Sequence, residues 1–340
     1  GVSYDNCEVE QKTYQIASLS DFSKLQEDPS GIFNITSDID FTDYTGTNAI
    51  VTSIFTGKIE GNGHTLSNLN NVSLFANFRG KVQNLNIRDF TNTSQGRGNG
   101  DFVTAFAQET FTAEFKNMRF ENITLSGRNN VAVVTGMDGR ENANSIFENI
   151  SIKNANVTGT GVYVSTFAGR KYNGKMKDIY VQGTLNVTGS ENGGLVGAMQ
   201  QGGTIENVIT DVNITKTSNS YTNVANSIFN ASLVGNIYNT PAIKNSVAFG
   251  DMIGYEDAQG NKLVPYKFVG AQESQVIACL TKCYEVAECI GASRVSEATT
   301  GHLETITKSD LDIEFYRNLG FDESIWDFDT ISVKGYPELK

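Results

Sequence analysis

The sequence predicts an all-β protein, a right-handed parallel β-helix (β-solenoid) with short helical caps at both ends. Three observations predict it: a pair of short apolar segments recurs along most of the chain, each copy alternates apolar and polar residues, and no copy holds an apolar stripe of helical length. In the clearest copy, residues 192–215, the glycine-rich segment Gly193–Gly197 precedes the alternating segment 205–208. Such a unit cannot bury its apolar face alone, so successive coils must stack.

One polar position recurs in the alternating segment of each copy. The intervals between its successive occupants are 33, 32, 29, 29, 38 and 37 residues, too variable for an array of helical repeats. In a solenoid these residues would share one corner of successive coils about 4.8 Å apart, where side-chain amides can hydrogen-bond to each other. We therefore predict a structural ladder of Asn84, Asn117, Asn149, Asp178, Asn207 and Asn245, continued by Lys282.

One elongated domain is expected, because a solenoid grows by adding coils. We assign residues 1–30 to an N-terminal strand and helix cap. Residues 31–305 form the β-helix of roughly 7–9 coils, and residues 306–340 form a C-terminal helix and capping segment. Caps are needed because an open solenoid end exposes a sheet edge and apolar core.

Two segments predict the helices of these caps. Residues 13–30 offer Ser18 or Ser20 as an N-cap and an apolar face, with Pro29 near the end. Residues 309–320 predict the second helix, capped by its first residue, a serine, and stopped by its last, a glycine.

The lone tryptophan, Trp326, follows the second predicted helix closely. Together with Phe328 it is expected to seal the last coil, because large apolar side chains at a solenoid end cover the exposed core.

Charge and hydropathy exclude several partners. The net charge is −12, and no basic residues cluster along the chain, so nucleic acid and anionic membranes are poor partners. No apolar run approaches the roughly 18 residues that span a bilayer, so membrane insertion is not expected. We expect a monomer.

The opening and the close of the chain resemble a known group of proteins. The run from Tyr14 through GIFNITSDIDF, FTGKIEGNGHTLSNL and LFANFRGKVQNLNI is similar to bacterial surface proteins with GLUG repeats, so called for strands such as Gly193–Gly197. It most resembles the β-helical region of Gram-positive zinc metalloendopeptidases of the immunoglobulin A protease family. The final stretch, EFYRNLGFDESIWDFDTISVKGYPELK, resembles the end of such a region.

This resemblance implies a non-catalytic module of a secreted or cell-wall-attached bacterial protein. It would orient the protease or engage a host protein substrate, possibly immunoglobulin, and its neighbour would be the catalytic domain. The sequence has no HExxH motif, so the zinc site and its general base would lie in another part of the larger protein, and no cofactor is expected in this segment.

Two other functions stay open. GLUG coils also occur in adhesin-like proteins, so the chain could bind a host protein or glycan. A carbohydrate-active β-helix enzyme would need converging carboxylates. The nearest cluster is Asp38, Asp40 and Asp43, for which simple solvation is the expected role and calcium binding or acid catalysis the alternatives.

The remaining reactive residues are few. His64 and His302 have no metal-type ligand at helical spacing, so structural roles are expected. The cysteines are Cys7, Cys279, Cys283 and Cys289, and Cys283 occupies an inward position of its strand. The alternatives are unpaired thiols, one disulfide between residues 283 and 289, or a metal site. The glycine-rich stretch 92–101 is expected to be a solvent loop and not a phosphate cradle.

Overall fold

The computed structural model describes residues 10–93, 96–140, 142–218 and 229–340. It confirms the predicted fold class: parallel strands stack coil upon coil into a β-helix. The strands alternate inward apolar and outward polar residues, which is the burial pattern of a sheet with one face in the core.

The N-terminal strands, in chain order, are β1 (Thr13–Ile16), β2 (Ile32–Ile35), β3 (Ile39–Asp40), β4 (Asn48–Phe55), β5 (Lys58–Glu60), β6 (Thr65–Ser67), β7 (Val72–Phe78) and β8 (Lys81–Asn92). The central strands are β9 (Ala107–Thr110), β10 (Glu114–Gly127), β11 (Thr135–Asp138), β12 (Ile146–Gly159), β13 (Ala168–Lys171), β14 (Lys175–Val187), β15 (Asn192–Gly193), β16 (Val196–Met199) and β17 (Thr204–Lys216).

The remaining strands are β18 (Asn230–Ala231), β19 (Val234–Ile237), β20 (Ala242–Phe249), β21 (Met252–Ile253), β22 (Tyr255–Glu256), β23 (Lys262–Leu263), β24 (Leu280–Val286), β25 (Leu303–Ile306), β26 (Trp326–Asp327) and β27 (Glu338–Leu339). The α-helices are α1 (Lys24–Glu27), α2 (Glu273–Cys279), α3 (Ile313–Asn318) and α4 (Ile331–Lys334). Single 3-10 turns lie at Asp21–Ser23, Glu297–Thr299, Lys308–Asp310 and Phe328–Thr330.

Two parallel sheets form the broad faces of the solenoid. Sheet A runs in the order β1-β2-β5-β8-β10-β12-β14-β17-β20-β24-β25, and sheet B in the order β19-β16-β13-β11-β9-β7-β4. Between residues 31 and 306, ten described strands follow one another in sheet A, from β2 to β25, against the predicted 7–9 coils. Seven of these strands, β8 to β24, carry the recurring polar position, and the short strands β2, β5 and β25 lack it.

The helical predictions are correct in place and wrong in extent. Residues 13–16 form β1, the first strand of sheet A, so the N-terminal helix is limited to the 3-10 turn and α1. The second helix is capped by Asp312, whose carboxylate accepts the Phe315 N–H at 2.8 Å, and not by Ser309. Helix α2 was not predicted, because seven residues are too few to show helical periodicity.

The recurring polar position is a left-handed backbone corner. All seven predicted residues have φ between 50° and 55°, and the strand register skips each of them together with its counterpart in the neighbouring coil, so each marks a corner at which the strand bends. Asparagine and aspartate are the non-glycine residues that adopt this conformation most readily. The repeat of asparagine is therefore explained by backbone geometry at every copy.

A row of glycines lies in sheet B and explains the other half of the repeat. A Cβ on Gly169 would lie 2.4 Å from the carbonyl oxygen of Gly136, and one on Gly197 would lie 2.4 Å from that of Gly169. The row continues through Gly235 and Gly270 with similar approaches. Only glycine fits, because the backbone of the coil below occupies the space of a side chain.

The C-terminal segment 308–340 folds back along the outside of sheet A. Asn207 Nδ2 on β17 donates to the Gly320 carbonyl at 2.7 Å, and Arg119 Nη2 on β10 donates to the Lys340 carbonyl at 2.6 Å. Trp326 is fully buried there, and its Nε1 donates to Asp178 on β14 at 3.0 Å. The expectation that Trp326 seals the last coil is therefore wrong; it packs on the side of the solenoid.

Candidate functional site

The predicted ladder residues have different partners at successive corners. Asn117 Nδ2 donates to Asn84 Oδ1 at 2.7 Å, which is the amide-to-amide contact expected for a ladder. Asn149 Oδ1 instead accepts from Arg119 Nη2 at 2.8 Å, and Asp178 and Asn207 contact the C-terminal segment as described above. Asn245 keeps the same left-handed conformation, with φ of 53°. These residues shape corners and hold the C-terminal segment.

A second row of this kind was missed. Asp89, Asn122 and Asn154 are also left-handed, and Asn122 Nδ2 donates to Asp89 Oδ1 at 3.0 Å while Asn154 Nδ2 donates to Asn122 Oδ1 at 2.7 Å. The row ends at β14, where the register shifts and Gln182 Oε1 accepts from the Asn154 N–H at 2.7 Å. The shorter interval after Asn149 was the available signal, because the coil loses its second corner there.

The acidic cluster and the first histidine lie in a turn. Asp38 Oδ1 accepts from the Thr65 N–H at 2.9 Å and lies 3.2 Å from His64 Nδ1. The backbone hydrogen bond from Thr65, with a smaller contribution from His64, lowers the pKa of Asp38. Asp40 binds Thr42, whose hydroxyl and N–H lower the pKa of Asp40 as well, and Asp43 is exposed. These carboxylates hold turns.

The cysteines form no pair among the described residues. Cys279, Cys283 and Cys289 are free thiols, and Cys7 lies outside the described residues. Cys283 is fully buried on β24, and burial raises the pKa of its thiol to about 12. Its inward position in the last coils is as predicted from the repeat. His302 Nδ1 lies 2.8 Å from the Leu280 carbonyl, a contact within the solenoid.

No three His, Cys, Asp or Glu side chains of the described ranges are grouped closely enough to hold a metal ion. In those ranges no helix is long and apolar enough to cross a membrane.

The outer face of sheet B carries the feature best suited to binding. We call it the arginine groove, lined by Arg79, Phe111, Met137, Arg140, Arg170 and Tyr172. It consists of two adjoining depressions of about 560 and 240 Å³ that share Phe111, Met137 and Arg140. The volume of the larger depression is typical of ligand clefts.

Strand register explains how distant residues converge in the groove. Glu109, Met137 and Arg170 are direct neighbours on β9, β11 and β13, all facing outward. Two residues further along each coil, a second outward row passes from Arg79 through Phe111 and Gly139 to Tyr172. Gly139 has φ of +89°, so the chain turns there without a side chain between the two rings.

Aromatic rings hold several guanidinium groups in place. The guanidinium carbon of Arg170 lies 4.5 Å from the ring centroid of Tyr163, and its Nε donates to Asn130 Oδ1 at 3.2 Å. Arg79 lies 5.1 Å from the ring of Phe111 in the same way. Stacking on a ring face favours a cation and limits its rotation, so these arginines are oriented before any ligand arrives.

One carboxylate balances part of the positive charge. Glu109 lies between Arg97 Nη1, at 3.0 Å, and Arg140 Nη2, at 4.0 Å. Arg97 comes from the stretch predicted to be a solvent loop, and its side chain returns to the sheet, where Nε donates to Gln108 at 3.1 Å. Arg140 is 75% exposed. Among the described residues that line the groove, three arginines are thus accompanied by one glutamate, which Arg97 also contacts, on a chain whose net charge is −12.

Comparison with known proteins gives a likeness of fold. No protein-family model matches the chain and no curated protein matches it, so the GLUG relationship rests on the sequence pattern alone. A crystal structure from Bacteroides ovatus, described as a candidate immunoglobulin A1 protease, superposes with a TM-score of 0.53 and 16% identity over 97% of this chain and 92% of that one.

A second solved structure, named IgA1 protease, superposes with a TM-score of 0.58 and 14% identity. The match covers 90% of this chain and 24% of the other, so this chain corresponds to about a quarter of that protein. At these identities the likeness shows that the chain shares its β-helix with proteins described as immunoglobulin A1 proteases.

Proposed function

We propose that this chain is a non-catalytic β-helical module of a larger immunoglobulin A1 protease-like zinc endopeptidase, displayed outside a bacterial cell. The observation that carries the proposal is the unequal coverage of the match: nearly all of this chain superposes on about a quarter of a protein named IgA1 protease. A solenoid that accounts for a quarter of a protease leaves the catalytic machinery to the rest of that protein. Zinc would be held there.

The arginine groove supports a role in engaging the substrate protein. Exposed positive charge, aromatic rings and a concave surface coincide there on an acidic chain. Exposed residues of these types are enriched at binding surfaces. The module would hold the substrate through this face and present it to the neighbouring protease domain.

An adhesin is the second candidate, and the same groove favours it, since binding a host protein or glycan needs no catalytic group. A carbohydrate-active enzyme has less support, because Asp38 and Asp40 are engaged in turns and lie outside the arginine groove.

A binding and cleavage experiment on the isolated chain tests the proposal. With the chain immobilised, immunoglobulin A1 should bind saturably, immunoglobulin G should bind more weakly, and prolonged incubation should yield no cleavage product of either. Cleavage by the chain alone would show that it has a catalytic site. Absence of binding would remove the substrate-engaging role.

The coding sequence that surrounds this region separates the two candidates. An HExxH motif with a later glutamate elsewhere in the same protein is expected for the protease. If the full-length protein lacks that motif, the adhesin becomes the better description.

A further inference from the structure

The arginine groove runs across the strands, parallel to the axis of the solenoid. Its residues lie on β7, β9, β11 and β13 or directly after them, and these four strands are consecutive in sheet B. With about 4.8 Å between neighbouring strands, the groove extends over about 14 Å. A ligand that fills it must therefore be extended.

The chemistry of the groove selects for repeated carboxylates. Arg79, Arg140 and Arg170 line the two depressions, and planar guanidinium groups bind carboxylates through paired hydrogen bonds. The side-chain amides of Asn77 and Asn142 line the same depressions and can bind hydroxyl groups. Tyr172 adds an aromatic ring beside them.

The backbone of the groove floor argues against an extended peptide. Strands β9 and β11 are each hydrogen-bonded to neighbours on both sides, so their N–H and C=O groups are used within the sheet. A peptide that binds by strand addition needs an open sheet edge. Recognition at this face therefore falls to side chains, which suits a sugar chain with hydroxyl and carboxylate substituents.

We propose that the arginine groove binds an acidic oligosaccharide, a sugar chain with carboxylates on successive residues. The proposal rests on the proposed function in treating this face as the ligand-binding surface, and it adds the class of ligand. Arg79, Arg140 and Arg170 hold the carboxylates, while Asn77 and Asn142 hold hydroxyl groups.

Isothermal titration calorimetry on the full chain tests it, with a hexamer of galacturonic acid as probe. The hexamer should bind, and its fully methyl-esterified form, which keeps the backbone and loses the charge, should bind at least about tenfold more weakly. The double variant R140Q/R170Q should lose about tenfold or more in affinity. The matched control R88Q/R317Q, which removes two exposed arginines outside the groove, should keep it.

Three results would overturn the proposal. They are no binding of the hexamer, equal binding of its methyl ester, and equal or tighter binding of a hexaglutamate peptide, which would make the face a peptide or general anion surface. Thermal unfolding of each variant checks that the fold is retained. Because the probe contains no protein, the two proposals can fail separately. Binding of the hexamer without binding of immunoglobulin would support the ligand class and contradict the proposed function. Binding of immunoglobulin without binding of the hexamer would support the proposed function and contradict the ligand class.

Discussion

The outer faces of sheets A and B are built from the same alternating strands and differ in what lies on them. On sheet A the outward column starts with Asn86, Arg119 and Ser151 and then becomes apolar at Tyr180, Ile209 and Val247. The apolar part is covered by segment 308–340, in a second core centred on Trp326. On sheet B, the outward positions of the arginine groove carry charge and stay open.

Equivalent outward positions of a solenoid can therefore serve either folding or binding, according to the side chains placed there. A sheet face that is covered by another segment of the same chain stabilises the fold only if it is apolar. The reason is that burial of apolar area is the main favourable contribution to the free energy of folding. A face that must stay in water and still attract a ligand carries oriented charges, which contribute little to stability when exposed.

The largest effect is expected for Trp326→Ala, on the covered face. Truncation leaves a cavity in the second core and removes the indole donor of Asp178, so it should cost about 3–5 kcal/mol of unfolding free energy. Denaturant unfolding followed by circular dichroism measures it, with Val333→Ala, at a residue 86% exposed, as the control. Equal stability of the two variants would show that segment 308–340 does not depend on this core.

A smaller loss is expected for Ile209→Lys, which places a charge under the C-terminal segment. The lost apolar contact and the cost of burying the ammonium should together destabilise the chain by about 2–3 kcal/mol. Hydrogen exchange should also increase in residues 308–340. The control is the same substitution at Asn86, which lies in the same outward column but outside the part covered by segment 308–340. An equal loss of stability there would show that the effect at Ile209 does not come from the covering segment.

Asp178→Asn is expected to stabilise the chain slightly. Burial raises the pKa of Asp178 in the folded state, while the Trp326 hydrogen bond opposes this effect. A carboxyl with a raised folded pKa contributes stability below its unfolded pKa, near 3.8, and loses it as pH rises through the folded pKa. Asparagine keeps an acceptor for Trp326 and suits the left-handed corner, so at pH 7 the melting temperature should rise by about 1–3 °C.

The advantage of Asp178→Asn should shrink as pH falls toward the unfolded pKa. Melting curves of both proteins across that pH range measure the difference. A lower melting temperature of the variant at pH 7 would mean that the hydrogen bond from Trp326 needs a charged acceptor at residue 178 to stabilise the fold.

The smallest effect on stability is expected for R140Q/R170Q on the open face. Arg140 is mostly exposed and Arg170 contributes one ring contact and one hydrogen bond, so unfolding should change by less than about 1 kcal/mol. Thermal melting measures it beside Ile209→Lys. A loss as large as that of the buried substitution would make the groove arginines structural.

Local pattern was sufficient to predict the fold class and the corner residues. Alternation along each strand and asparagine at a left-handed corner are properties of a few consecutive residues, as Asn84 and Asn117 illustrate. The cover of sheet A was also signalled, since Tyr180 and Ile209 break the alternation that Arg119 and Ser151 keep.

The arginine groove could not be predicted in the same way. Arg79, Arg140 and Arg170 are 61 and 30 residues apart in sequence, and variable coil lengths conceal that they lie on one face. Along the chain no basic cluster exists, although the fold makes one. Only the strand register brings these positions to one face, and the register cannot be read from the sequence.

Sequence pattern is enough to predict that this chain coils into a parallel β-helix, because the apolar period, the corner asparagines and the stacked glycines act through neighbouring residues and through equivalent residues in the coils above and below. The position of the C-terminal segment and the meeting of charges on sheet B are seen only in the folded chain. Both features depend on contacts between residues that are far apart in the chain. The distance between two such residues depends on the register of every coil that lies between them.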